Sequence, residues 1–142
     1  MVEARWVLLD TDVWSVLYAR ARRTDARDER WRHLLQGRSI VVATQTRAEV
    51  LMGLAIKDVG AARRARIVAQ LNATTTVPVT EDVIVAYADL SANCRRMGHA
   101  LGQKINTGDR WIAATAIAIG APVLAGDGIY KDAPGVELLG RE

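Results

Sequence analysis

Trp6-Val7-Leu8-Leu9-Asp10 is a short apolar run that ends on a carboxylate. Four apolar residues without polar alternation suit a strand covered on both faces, as in a parallel sheet. Asp10 then falls at the carboxyl end of that strand. Val13, Val16 and Leu17 recur at the i, i+3, i+4 spacing of one helix face, which predicts a helix from Val13 to Arg20. A second helix is expected from Thr24 or Asp25, burying Trp31, Leu34 and Leu35 and stopping at Gly37.

Further along, Ser39-Ile40-Val41-Val42-Ala43 is β-branched and short, and Thr44 beyond it is placed to cap the helix that carries Glu49, Leu51 and Leu54. Gly60 ends or interrupts that helix. Ala61 to Leu71 is helical in pattern, with Ile67, Val68 and Leu71 inward and Arg63, Arg64 and Arg66 outward. A strand from Thr75 to Val79 follows. Thr80 then caps a long helix that runs to about Met97, and Gly98 closes it. Gly98 to Gly108 reads as loop. An alanine-rich helix starts near Asp109, able to lie close to a sheet, and strands Pro122 to Ala125 and Val136 to Leu139 complete the chain.

Strands alternating with helices predict an α/β fold: three layers, α/β/α, around a mainly parallel central sheet. No repeat, low-complexity tract or linker divides residues 1–142, which are expected to form one domain. A chain of this length buries a core without disulfides or metal staples. Cys94 is the single cysteine, so no disulfide framework exists, and a reducing, cytoplasmic setting is expected. The longest weakly polar run, Trp111 to Gly126, is too short for a membrane span and is broken by Gly120 and Pro122, so no membrane partner is expected. The N-terminus lacks the charge pattern of a signal peptide.

In parallel sheets ligands gather outside the carboxyl ends of the strands. Asp10 and Asp127 end apolar strands, Asp109 opens a helix, and Glu49 lies about a turn inside the helix after the second strand. Each acid alone has a plain structural reading: Asp10 and Asp109 as helix caps, Asp127 as a turn residue between two glycines, Glu49 as a solvated charge. Their joint placement at one edge favours a site. Four like charges repel and raise one another's pKa values unless a cation sits among them. All-oxygen donors suit Mg²⁺ or Mn²⁺, and no histidine or cysteine spacing resembles a zinc site. His33 and His99 stand alone and are expected to be surface or packing residues. Such ions make a bound water acidic and stabilise charge on an attacked phosphate, the combination that phosphodiester hydrolysis needs.

Net charge is +3, and sixteen of the nineteen basic residues are arginine. Removing four site charges of −1 leaves +7 elsewhere, so an acidic pit would sit in a basic surround fit to hold a phosphate chain. Arg20, Arg22, Arg23, Arg27, Lys104 and Arg110 are the expected rim for RNA. Other arginines are expected in solvated pairs, such as Asp28 with Arg32 at i,i+4 spacing.

Leu8-Leu9-Asp10-Thr11-Asp12, Thr46-Arg47-Ala48-Glu49-Val50, Asp109-Arg110-Trp111-Ile112-Ala113-Ala114-Thr115-Ala116 and Pro122-Val123-Leu124-Ala125-Gly126-Asp127 together resemble, in order and spacing, the PIN-domain family. The likeness is to the VapC-like toxins of bacterial toxin–antitoxin pairs and covers almost the whole chain. The resemblance implies a PIN-like fold and an endoribonuclease dependent on Mg²⁺ or Mn²⁺, with Asp10, Glu49, Asp109 and Asp127 in the family's acidic positions. It also implies a homodimer and a cognate antitoxin that blocks the site. Asp12 departs from the family's usual asparagine or serine and adds a possible fifth acid. Ala125 replaces a threonine or serine two residues before the last acid, and Asp132 is a candidate to share that acid's load.

Two alternatives remain at this level. Asp10-Thr11-Asp12 after a strand also resembles a phosphatase of the haloacid dehalogenase type, with Asp10 as nucleophile, Thr44 at a strand end, Lys104 steadying charge, and Asp127 and Asp132 near a metal. That reading leaves Glu49 and Asp109 without a task. The other is a non-catalytic RNA-binding or regulatory module that keeps the fold with a decayed site.

Overall fold

The computed structural model describes residues 5–20 and 26–140. Four strands, β1 (Trp6–Leu9), β2 (Ser39–Ala43), β3 (Thr75–Val77) and β4 (Val123–Leu124), form one sheet in the order β3-β2-β1-β4. Every pairing is parallel, with Leu8 opposite both Val41 and Val123, and Val41 opposite Thr75. Period-two alternation divides the apolar strand residues between two cores. Val7, Leu9, Val42 and Leu124 join one; Leu8, Val41, Ala43 and Val123 join the other.

The first core is covered by α1 (Thr11–Trp14), a π-helical turn at Ser15–Ala19, α2 (Arg27–Leu35), α3 (Thr44–Ile56) and α4 (Ala61–Ala73). The second is covered by α5 (Glu81–Met97) and α6 (Thr107–Ile119). Ala113, Ala114 and Ala116 of α6 are fully buried, as an alanine-rich helix pressed on a sheet requires. The three-layer α/β/α fold with a parallel sheet is therefore the observed one.

The structure departs from the sequence reading in detail. The first helix is not α-helical throughout: Arg20 N–H bonds back to Ser15 O at 3.1 Å, an i→i+5 step. That widened turn brings Trp14 inward beside Val13, Val16 and Leu17, and its indole Nε1 donates to Thr74 Oγ1 at 3.0 Å. Thr44 is no cap; its hydroxyl donates to Val77 O at 2.8 Å, so it links β2 and β3 while Ala43 holds the cap position. The expected last strand is reduced to one parallel bridge, Val123 to Leu138. The fourth strand is only two residues long, so little ladder is available for a fifth. The 98–108 segment contains two 3-10 turns, Ala100–Gly102 and Lys104–Asn106. Asp28 is 4% exposed, so its pair with Arg32, at 2.6 Å, is not the solvated one expected. Arg32 also donates to Leu17 O at 2.9 Å, which ties α2 to the π turn.

Candidate active site

Asp10 follows β1 and caps α1, accepting from Thr11 N–H at 2.7 Å. It is 6% exposed. Thr11 extends the cluster sideways, because its hydroxyl lies 2.5 Å from Glu49 Oε1 and 3.0 Å from the buried Thr46 hydroxyl. Glu49 Oε2 accepts from Gln45 Nε2 at 3.1 Å, one turn earlier on α3. Asp109 stands in the first turn of α6, half-buried. A Cβ on Gly108 would come within 3.1 Å of both Glu49 and Gln45, so glycine lets α6 close on α3 just where their acids meet. Asp127 follows β4 and caps the 3-10 turn Gly128–Tyr130, accepting from Ile129 N–H at 2.5 Å.

Two of the four acids are raised by burial and by their acidic neighbours. Burial pushes the Asp10 carboxyl up to about 7, and the nearby charges of Asp109 and Glu49 add to the rise against relief from the Thr11 and Tyr130 hydrogen bonds. Asp109 is also raised, by burial first, then by Asp127 and Glu49. Among the described residues no three acidic, imidazole or thiol groups are gathered closely enough to hold an ion as they stand. The hydrogen bonds explain the arrangement: Asp10, Glu49 and Asp127 each turn toward a donor on their own or an adjacent element. The donor set suits a hard divalent cation, since it is all carboxylate oxygen and two members, Asp10 and Asp109, are raised in pKa.

Tyr130 is the residue that sequence reasoning missed. It is fully buried; its hydroxyl donates toward Asp109 Oδ1 at 3.4 Å and lies close enough to Asp10 to oppose the rise of that carboxyl's pKa. Burial and the charges of Asp10 and Asp109 push its own pKa far up, so it is a neutral donor. Its place in Gly128-Ile129-Tyr130, three residues past an acid, reads in sequence as ordinary core. Thr11 and Thr46 lie inside the motifs, but their spacing does not show that their hydroxyls meet each other and Glu49.

The rim is mixed. Arg20 is exposed and lines a cleft of about 280 Å³ with Thr11, Glu49, Lys57 and Arg63. Lys57 and Arg63 were not singled out from sequence, because they belong to different elements that only folding brings together. Arg27 lies over Trp31 at 4.6 Å, stands 3.6 Å from Asp12 and donates to Gly126 O at 3.3 Å. The possible fifth acid is thus engaged by a cation. A Cβ on Gly126 would approach Arg27 to 2.6 Å and Asp12 to 2.9 Å, so glycine is what admits this pair beside Asp127. Lys104 is exposed on its 3-10 turn, and Asp132 is an exposed turn residue with φ 59°. Arg22 and Arg23 lie outside the described residues, as do Thr24 and Asp25.

Arg110 corrects the expected rim. It is 8% exposed and turned inward, donating to Leu101 O at 2.9 Å, Gln103 O at 3.1 Å and Tyr87 Oη at 2.9 Å. Its backbone-carbonyl partners make it the staple of the 3-10 segment. His99 is structural as well. With Nδ1 accepting from Leu101 N–H at 3.0 Å, Nε2 carries the proton and donates to Lys131 O at 2.7 Å.

A parallel α/β sheet carries acids from β1, α3, α6 and the turn after β4 at its carboxyl edge. The chain belongs to the PIN domain family, whose model matches residues 7–136. Solved structures agree on the fold. VapBC2 from Rickettsia felis, bound to a DNA fragment from the promoter, is 17% identical, with 94% of this chain and 96% of that chain covered and a TM-score of 0.74. FitAcB from Neisseria gonorrhoeae is 22% identical, with 94% and 96% covered and a TM-score of 0.70. VapBC-5 from Mycobacterium tuberculosis, a member of the VapBC family of toxin-antitoxin systems, is 25% identical, with 95% and 98% covered and a TM-score of 0.67. No curated protein matches the sequence. Among the described residues no helix is long and apolar enough to cross a membrane.

Proposed function

We propose that the protein is a metal-dependent endoribonuclease and the toxin of a toxin–antitoxin pair. The observation that carries the reading is Asp10: a buried carboxylate at the sheet edge, raised to about 7, with Asp109 and Glu49 as charged neighbours. Membership of the PIN family and likeness to VapBC and FitAcB structures support it.

Asp10, Asp109 and Asp127 would hold Mg²⁺ or Mn²⁺, with Glu49 at a second ion or on the attacking water; a bound ion supplies an acidified water and offsets charge on phosphate. The chain's own groups do the rest. Thr11 N–H fixes the Asp10 carboxylate, and the Thr11 hydroxyl with Gln45 holds Glu49 at both oxygens. Arg20, Lys57 and Arg63 flank the cleft beside Glu49 and suit the RNA backbone. In-line attack on phosphorus leaves a 3′-hydroxyl and a 5′-phosphate. An antitoxin would silence this site by laying an apolar helix on the domain and a basic side chain among the acids. We further propose a cytoplasmic homodimer. Buried, unpaired Cys94 supports the compartment, and the family likeness supports the dimer.

The phosphatase alternative loses ground on Asp12, the acid its mechanism requires next to the nucleophile, because that carboxylate is engaged by Arg27. The test is cleavage of end-labelled cellular RNAs by wild type and Asp10→Asn, with Mn²⁺ and with chelator. Cuts that need both metal and Asp10 are expected. Intact RNA alongside phosphomonoester hydrolysis contradicts the reading, and intact RNA with neither activity points to the binding module.

A further inference from the structure

Tyr130 sits where a phenyl ring would fill the same space, yet it carries a hydroxyl into a fully buried position. A buried hydroxyl is costly unless it finds partners, and the partners here are the carboxylates of Asp109 and Asp10. These acids come from opposite ends of the chain, one after β1 and one opening α6. The hydroxyl has one proton, so it donates to one carboxylate at a time and faces the other as a neighbour. The tyrosine is itself held from two sides. Asp127 caps the turn Gly128–Tyr130 through Ile129 N–H, and His99 Nε2 donates to Lys131 O just beyond it. Asp127 shapes the turn, and the turn aims the hydroxyl at Asp109 with Asp10 beside it.

We infer that Tyr130 is a positioning residue for the acid cluster, its hydroxyl setting the orientation of the Asp10 and Asp109 carboxylates toward a shared divalent cation. The inference rests on the nuclease reading and adds to it a residue that acts through the acids and not on the RNA. Donors that orient metal ligands typically change metal affinity by about 10–100-fold when removed.

The test is Tyr130→Phe, which keeps the ring and removes only the hydroxyl. Mn²⁺ binding is followed by electron paramagnetic resonance of free ion, in parallel with steady-state cleavage of an RNA oligonucleotide that the wild type cuts. The expected result is Mn²⁺ affinity weakened about tenfold and kcat lowered, with KM for RNA unchanged. Wild-type Mn²⁺ affinity and kcat in the variant overturn the inference, also when its metal-free melting temperature falls, since that pattern is packing alone. His99→Gln provides a second variant that loosens the turn and leaves the hydroxyl in place. It is expected to weaken Mn²⁺ binding less than Tyr130→Phe, and a larger loss than Tyr130→Phe overturns the assignment to the hydroxyl. A wild type that takes up no Mn²⁺ overturns the nuclease reading and the inference with it, whereas a wild type that binds Mn²⁺ and cuts RNA beside an unaltered Tyr130→Phe overturns the inference alone.

Discussion

Asp10 and Asp28 are buried to nearly the same degree, 6% and 4% exposed, yet the protein treats them in opposite ways. Asp28 accepts from Arg32 at 2.6 Å, and that arginine also reaches Leu17 O, so charge and geometry together fasten α2 to the π turn. Asp10 has a backbone N–H, a tyrosine hydroxyl and further acids around it, and its carboxyl is driven up to about 7 by burial and then by those acids. One buried acid has a cation inside the chain at one oxygen, Oδ1, while its Oδ2 is buried without a hydrogen-bond partner. The other is surrounded by further acids, and on the proposed function it is completed by a bound cation.

The largest difference is expected in activity. Asp10→Asn keeps a side chain able to cap α1 and should lower RNA cleavage by more than about 100-fold, above the loss typical of groups that only support metal ligands. Asp28→Asn, assayed at low temperature where it is folded, should keep wild-type kcat. Similar losses in both would erase the contrast.

Stability should move in opposite directions. Breaking a fully buried pair costs about 3–5 kcal/mol. Arg32 is one-third exposed, so solvent screening reduces the expectation for Asp28→Asn to about 2–3 kcal/mol. At roughly 2–4 °C per kcal/mol for a chain of this size, a clear fall in melting temperature is expected by calorimetry.

Asp10→Asn should instead stabilise metal-free protein at pH 8, by about 1–2 kcal/mol. The folded carboxyl is raised to about 7 from 3.8, so the folded state binds more protons than the unfolded one between those values. Wild-type stability without metal should therefore fall as pH rises from about 4 to about 7, and the variant should lack that part of the slope. The full shift corresponds to about 4 kcal/mol at 1.36 kcal/mol per unit. The smaller figure allows for side chains that turn toward solvent on the open Asp127 side. A melting profile that rises with pH across this interval would contradict the assignment.

Much of this was legible in the sequence because it follows from periodicity. β2 falls at the expected Ser39–Ala43, α5 begins after Thr80, whose hydroxyl accepts from Val83 N–H at 3.4 Å, and Gly98 closes it with φ 70°. The four acids were readable because strand ends and helix starts are marked by composition, and a parallel sheet puts them at one edge. Contacts between distant elements were not. Tyr130 resembles any buried aromatic until the turn capped by Asp127 aims its hydroxyl. Arg110 resembles a rim cation until the carbonyls of Leu101 and Gln103 draw it inward. The π turn is equally hidden, since one extra residue in a helical step leaves the apolar spacing of Val13, Val16 and Leu17 unchanged.

The central claim is that the acids around Asp10 are completed by a divalent cation. The most direct measurement is the melting temperature of wild type, Asp10→Asn and Asp28→Asn as Mn²⁺ is titrated into metal-free protein at pH 8. A ligand at about 100 times its dissociation constant adds about 2.7 kcal/mol to the folded state, roughly 5–10 °C for a chain of this size. The account predicts such a rise in wild type and in Asp28→Asn, and none in Asp10→Asn. An equal response in all three, or no response in wild type, would contradict it.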